Sequence, residues 1–133
     1  TFQTRIEYMS SEEPTRVKEI MSAPVETISR DATVSDAAAK MRDDEISALI
    51  VTTSTPSIIT STDILDAVAS GTDTSELDVT ELMTESVETI PPDLQIGEAS
   101  AMMTNFGIKH LPVVERGDYV GMISSTDIAA QVS

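Results

Sequence analysis

The chain contains no cysteine and no tryptophan, a single histidine, and only two tyrosines and two phenylalanines in 133 residues. Without thiols, disulfides, thiolate zinc sites and cysteine nucleophiles are excluded, and the redox compartment is left open. Basic residues are also scarce, 8 against 23 acidic ones for a net charge of −15. Phosphate backbones are bound by clustered Lys and Arg, so this balance argues against a nucleic-acid partner. No stretch approaches the roughly 18 consecutive apolar residues of a membrane span, and the opening TFQTRIEYMSSEEP is too polar for a signal peptide. A soluble cytoplasmic protein with no membrane partner is therefore expected, and, from the start at Thr1 without a Met, so is a chain trimmed from something longer.

Catalytic signatures are equally thin. There is no G-x-x-x-x-G-K-[ST], no G-x-G-x-x-G and no serine in a glycine elbow. Carboxylates are so numerous that any pair of them is uninformative. The run Arg42-Asp-Asp-Glu45 lacks the periodic oxygen ligands of a calcium loop and reads as a solvated helix end. The residues call for neither an enzyme, nor a cofactor, nor a metal.

What the chain does have is an internal repeat. At one fixed spacing, set by Val17 and Val79, Met21 falls on Met83, Val25-Glu-Thr-Ile28 on Val87-Glu-Thr-Ile90, Asp31 on Asp93, Met41 on Met103, Ile46 on Ile108 and Leu49 on Leu111. The spacing lengthens at Glu115-Arg-Gly-Asp118, where the first copy has the shorter turn Thr53-Ser-Thr-Pro56. After it, Thr60-Ser-Thr-Asp63 falls on Ser124-Ser-Thr-Asp127. A length change confined to a turn is what a structural repeat shows.

Each copy has the same order of elements. A short extended piece ends at Ile28 or Ile90. In the first copy Thr33-Val-Ser-Asp36 then has the form of a capping box. Val34, Ala37, Ala38 and Met41 follow at helical spacing, as do Ile96, Ala99 and Met103, with the methionines on the core stripe. Two short strands flank the turn, Ala48 to Val51 with Ile58-Ile59 and Leu111 to Val114 with Val120 to Ile123, and a closing helix begins at Ile64 or Ile128. The organisation predicted is an N-terminal extension over 1–15, one unit over 16–69, a polar linker over 70–78 and a second unit over 79–133. Ile28, Leu49, Val51, Ile59, Ile90, Leu111, Val113 and Ile123 are the predicted core.

Two copies of strand, helix, strand, strand, helix, with M-[ST]-x-x-V-x-T-I at the head and [ST]-[ST]-T-D-I at the end, resemble the tandem CBS domain pair, or Bateman module. The resemblance spans about Arg16 to Val132. It implies an α+β fold with α/β-type layers, two β-α-β-β-α units packed with pseudo-twofold symmetry, and two clefts between them. Members of the family commonly hold AMP, ADP, ATP or S-adenosylmethionine there, with the terminal Asp accepting from the ribose hydroxyls, and pair as homodimers through helical faces. Here Ala37, Ala38, Ala99 and Ala101 would allow close helix approach. The alternative is a purely structural dimerisation module with no ligand.

Carried across residue by residue, the resemblance implies a first cleft of Thr60, Thr62 and Asp63 with Ser47 and Ala48, closed by Thr84 to Thr89 and thus by Val87 and Thr89. The second cleft would join Ser124, Thr126 and Asp127 with Lys109 and His110, closed by Ser22, Ala23, Pro24, Val25 and Thr27. The tetrapeptides suit that task, since they stand at strand-to-helix junctions where first-turn N–H groups are unpaired. An Asp carboxylate, being acceptor-only, can take two vicinal hydroxyls. The same Thr and Ser hydroxyls also serve simply as helix caps. With Lys109 and His110 assigned to it, the second cleft is the one expected to take a phosphate.

Lysine occurs only at Lys18, Lys40 and Lys109, and with few aromatics and abundant Ala, Ser and Thr the composition resembles that of extreme halophiles. An acidic protein of an ordinary cytosol fits the same numbers. In molar salt the Debye length falls to about 3 Å, which makes such self-repulsion tolerable. If the acidity is an adaptation to salt, the unfolding midpoint should rise with KCl well past the range where ordinary screening saturates. Thermal melts from low to molar KCl measure this, and a flat series excludes it.

Overall fold

The computed structural model describes residues 15–132, so the predicted N-terminal extension lies outside the described residues apart from Thr15, as does Ser133. The elements in order are α1 (Val17–Ile20), β1 (Thr27–Ser29), α2 (Val34–Asp44), β2 (Ala48–Thr52), β3 (Ser57–Thr60) and α3 (Ser61–Ala69). A 3-10 turn (Val79–Glu81), β4 (Thr84–Glu85), α4 (Ile96–Phe106), β5 (His110–Glu115), β6 (Asp118–Ser124) and α5 (Ser125–Val132) follow. This is the small α+β fold with two repeats that the sequence predicts. No helix among the described residues is long and apolar enough to cross a membrane.

Local chemistry sets the helix starts. Thr33 Oγ1 accepts from Asp36 N at 3.1 Å while Asp36 Oδ2 accepts from Thr33 N at 3.1 Å, closing the predicted capping box. The corresponding cap of α4 is Gln95, which makes no side-chain cap bond, so that helix is held by packing. Gly107 ends α4 with a φ of 66°, a left-handed conformation that glycine takes without a Cβ penalty.

The strands form a four-stranded sheet in the order β1-β2-β3-β4 and a β5-β6 pair. β1 runs parallel to β2 with Ile28 opposite Val51, and β2 runs antiparallel to β3 with Leu49 opposite Ile59. In the second repeat the extended piece predicted over Val87 to Ile90 is reduced to one parallel bridge, Ile90 with Val113. Proline explains the loss. Ile50 N donates to Glu26 O at 3.1 Å in the first repeat, but Pro112 occupies the matching position and has no N–H. On the other side of the bridge Pro92 stands at the position matching Arg30, and it too has no N–H to offer the neighbouring strand.

Of the predicted core, Leu49, Val51, Ile59, Ile90, Leu111, Val113 and Ile123 are buried, while Ile28 is only half-buried at the rim. Ala37 and Ala99 are fully buried within the repeats, because each lies on the apolar stripe of its own helix. They are not available for helix approach between molecules, as had been expected, whereas Ala38 is half-buried and Ala101 exposed.

The packing units differ from the sequence copies. Val17 belongs to the core of the second repeat, with Ile90, Ala99, Met103, Leu111, Val113 and Ile123. Val79 belongs to the core of the first, with Val34, Ala37, Met41, Leu49, Val51 and Ile59. The backbone repeats the exchange: Val17 N donates to Leu94 O at 2.8 Å and Val79 N to Ala32 O at 3.0 Å. Ser22 bridges to Met122 on β6, and Thr84 pairs with Ile58 on β3. Each head segment thus completes the other repeat.

Gly121 marks how close this approach is. A Cβ there would lie 2.5 Å from Met21 Sδ and 2.9 Å from the backbone oxygen of Ser22. The side chain could shift, but the head segment's backbone could not shift without loosening its bonds to β6.

Truncating either exchanged valine removes two methyl groups from a closed core. Val17→Ala and Val79→Ala should each cost about 2 kcal/mol, transfer and cavity terms together. Because each head belongs to the opposite core, urea denaturation of either variant should show one cooperative transition at a lower midpoint. Separate transitions for the two repeats would exclude the mutual dependence.

Candidate functional site

The two strand-to-helix junctions carry the repeated tetrapeptides. Thr60 caps α3, and Asp63 Oδ2 accepts from Thr60 N at 2.9 Å and from Thr60 Oγ1 at 3.0 Å. At the second junction Asp127 Oδ2 accepts from Ser124 N at 2.9 Å, while Asp127 N donates to Ser124 Oγ at 3.1 Å. Both aspartates are therefore capping-box residues, and the structural role read beside the ligand role is present. It occupies Oδ2 only. Among the described residues no hydrogen bond is made to Oδ1 of either, so each carboxylate is fixed in place with one oxygen left to accept from a ligand.

Each junction opens into a cavity of about 510 Å³. The first is lined by Thr60, Thr62 and Asp63 of α3 and its cap, by Thr84, Ser86, Val87 and Glu88 of the opposite head, and by Ile58, Phe106, Gly107, Ile108, Lys109 and His110. The second is lined by Ser124, Thr126 and Asp127, by Ser22, Pro24, Val25 and Glu26 of the other head, and by Met41, Arg42, Glu45, Ile46, Ser47, Ala48, His110 and Met122. Ala23, Thr27 and Thr89, also read as site residues, line neither cavity. Among the described residues no group of three or more His, Cys, Asp or Glu could hold a metal ion.

The grouping is crossed relative to the sequence reading. Lys109 lies with Asp63 in the first cavity, and Ser47 and Ala48 lie with Asp127 in the second. The backbone stays at home while the side chain leaves. Ser47 O accepts from Ser61 N at 2.9 Å within the first repeat, and Lys109 O accepts from Ser125 N at 2.9 Å within the second. With their carbonyls committed to their own helix starts, both side chains serve the other cleft. Ser47 Oγ reaches His110 Nε2 at 3.1 Å, and His110 lines both cavities.

Sequence reasoning missed two further groups. Arg42 and Glu45, read as a solvated helix end, line the second cavity, although Arg42 also pairs with Asp43 at 2.9 Å and is largely exposed. Phe106 lines the first with 56% of its surface exposed, in a chain that has only two phenylalanines. An exposed aromatic beside a glycine C-cap was the signal available for it.

The charge balance differs between the cavities. Two carboxylates, Asp63 and Glu88, face one cation, Lys109, in the first; three, Glu26, Glu45 and Asp127, face Arg42 in the second. Burial of the ring, the leading influence, holds His110 below the ordinary imidazole value. Asp127 and Asp63 draw it back up, and Lys109 pushes it down.

Two segments of the chain, residues 17–70 and 79–133, match the family model of the CBS domain. The protein belongs to the CBS domain family. This CBS pair is 29% identical over 116 residues to the CBS domain-containing protein YhcV of Bacillus subtilis, across 85% of this chain and 82% of that one. Its fold matches that of the CBS domain pair of protein MJ0100, solved in complex with 5′-methylthioadenosine and S-adenosyl-L-methionine. The TM-score is 0.81 at 28% identity, covering 90% of this chain and 97% of that one. A hexameric CBS-CP12 protein from bloom-forming cyanobacteria matches with a TM-score of 0.87 at 28% identity, over 91% of this chain and 74% of that one.

Proposed function

We propose that this CBS pair is a regulatory module that takes an adenosine-containing ligand in the clefts between its repeats, and that the cleft of Asp63 is the one that serves a phosphate. The observation that carries the reading is the makeup of the first cavity. Asp63 is held by its capping box with Oδ1 to spare, Ile58, Val87 and Phe106 offer an apolar slot, and Lys109 stands at the same cavity. An adenine needs the apolar faces, a ribose needs an acceptor for its vicinal hydroxyls, and a phosphate needs the cation. The likeness to the MJ0100 pair, whose ligands are both adenosine derivatives, supports the class. A ligand touching both repeats shifts their relative arrangement by the difference between its affinities for two states.

The second cavity, with three carboxylates against one guanidinium, is the poorer phosphate site in a protein of net charge −15. AMP is thus favoured over ATP in the first cavity, and S-adenosylmethionine, a cation, is the ligand whose charge suits the second.

Thermal unfolding in the presence of AMP, ATP and S-adenosylmethionine tests the class, since a ligand at a hundred times its Kd adds about 2.7 kcal/mol. Calorimetric titration with AMP then tests the site. Asp63→Ala and Lys109→Ala should each weaken binding about tenfold or more, because hydrogen bonds to charged groups are worth roughly 1.5 to 3 kcal/mol. Asp127→Ala should change it less. Unmoved melting with all three ligands overturns the reading, and a larger effect of Asp127→Ala overturns the choice of cleft.

The structural alternative is favoured by one observation. Leu65 and Val68, three apart on α3 and so on one face, are exposed over 67% and 56% of their surface. In a helix whose Ile64 and Ala67 pack inward, such a face is suited to a second copy of the chain. We infer a homodimer, with or without ligand. Sedimentation should give a dimer mass that falls to the monomer on Leu65→Asp, and a monomer for the unmutated chain at high protein and salt concentration contradicts it.

A further inference from the structure

The two cavities share one lining residue, His110. Its Nε2 is 3.1 Å from the hydroxyl of Ser47, which lines the second cavity alone, while its neighbour Lys109 lines the first alone. The imidazole therefore stands as a partition between two candidate ligand sites, tied by a hydrogen bond from one repeat to the other. We propose that His110 couples the clefts, so that a phosphate-bearing ligand in one raises the affinity of the other for a second. This rests on the reading of the clefts as adenosine-ligand sites and goes beyond it by assigning the link between them.

The chemistry follows from the groups around the ring. Asp63 at the start of α3 and Asp127 at the start of α5 act on it from opposite cavities, and Lys109 acts from its own strand. Glu88 lines the first cavity, and Glu26, Arg42 and Glu45 line the second. Desolvation outweighs the carboxylates and holds the ring below its ordinary value, hence neutral at pH 7. In that form one ring nitrogen accepts and the other donates.

An anion entering either cavity favours the charged ring. One proton is then taken from solvent, and both nitrogens donate. The second anion meets an imidazolium already formed, so it binds without the cost of charging it. The sign fixes the pH window. Above the raised value in the complex the ring stays neutral and the coupling disappears. Below the depressed value in the free protein the ring is charged beforehand, and the coupling again disappears.

His110 is the only histidine of the chain, so its imidazole proton resonances are free of overlap from any other. The experiment follows their pH titration in the full chain, free, with AMP and with adenosine, beside calorimetric AMP titrations at pH 7 in buffers of different ionisation heat. The expected result is a higher His110 pKa with AMP but not with adenosine, proton uptake on binding, and AMP entering the poorer second cavity about fivefold more tightly once the first is filled than while it is empty. In His110→Gln the uptake should vanish and the two sites should become independent. AMP binding with an unmoved His110 titration, or cooperativity that persists in His110→Gln, overturns the coupling while the ligand reading stands. Binding of S-adenosylmethionine without AMP does the same. No binding of AMP, adenosine or S-adenosylmethionine overturns both.

Discussion

The structure depends on the exchange of head segments. Val17 closes the core built on α4, β5 and β6, and Val79 closes the core built on α2, β2 and β3. Each repeat is small, and a unit of that size buries so small a share of its apolar surface that its fold is marginal by itself. Exchange removes the problem by making each repeat supply part of the other's interior, with backbone bonds from Val17 to Leu94 and from Val79 to Ala32 fixing the register. The clefts follow from this arrangement. A head that leaves its own repeat to lie beside the last strand of the other must pass the helix start at that strand's end, and there it becomes the cavity's second wall.

The parts of the fold that were legible in the sequence are those encoded over a few residues. Thr33 with Asp36, Val34 with Ala37 and Met41, and the repeated junction tetrapeptides each state a local structure through hydrogen-bonding geometry or helical spacing, and writing each twice doubled the signal. That each head closes the other copy's cleft was implied by the resemblance, but the exchange of Val17 and Val79 between the cores was not legible, because the two occupy equivalent places and either would fill either core. Nor was the crossing of Lys109 and Ser47. Which cleft a side chain at a strand's beginning enters depends on where its carbonyl is committed, and the bonds from Ser61 and Ser125 that commit them join segments far apart in the chain. The short β1-like segment of the second repeat was over-read for a different reason. Its apolar pattern is that of a strand, but Pro92 and Pro112 withdraw the donors on both sides of the Ile90–Val113 bridge.

A scaffold with this much symmetry makes its departures informative. Where the first repeat has Ser47 and Ala48, the second has Lys109 and His110, of which Lys109 lines the first cleft and His110 lines both. The head of the first repeat lies against Gly121, while the matching position in the first repeat is Ser57, buried with its hydroxyl bonded to Thr53 at 2.8 Å. The second head meets β3 at the matching place, Thr84 opposite Ile58 and Glu85 opposite Ser57, with that serine's Cβ present. The two clefts therefore have equal volume and unlike walls.

Unlike walls on one frame have a consequence for selectivity. Size alone cannot sort ligands of one class between cavities of equal volume, so discrimination falls to the groups on their walls, and the charge of this protein is dominated by carboxylates. Against a uniform negative background, a single cation changes the local balance most where fewest carboxylates surround it. Lys109 in the first cavity meets that condition and Arg42, already paired with Asp43, does not. Molar salt would weaken the background, screened over about 3 Å, more than it weakens contacts inside a partly closed cleft. If the clefts hold ligands as proposed, selection between them is carried by the few groups that touch the ligand, and the excess of surface carboxylates sets only how hard it is for an anion to arrive.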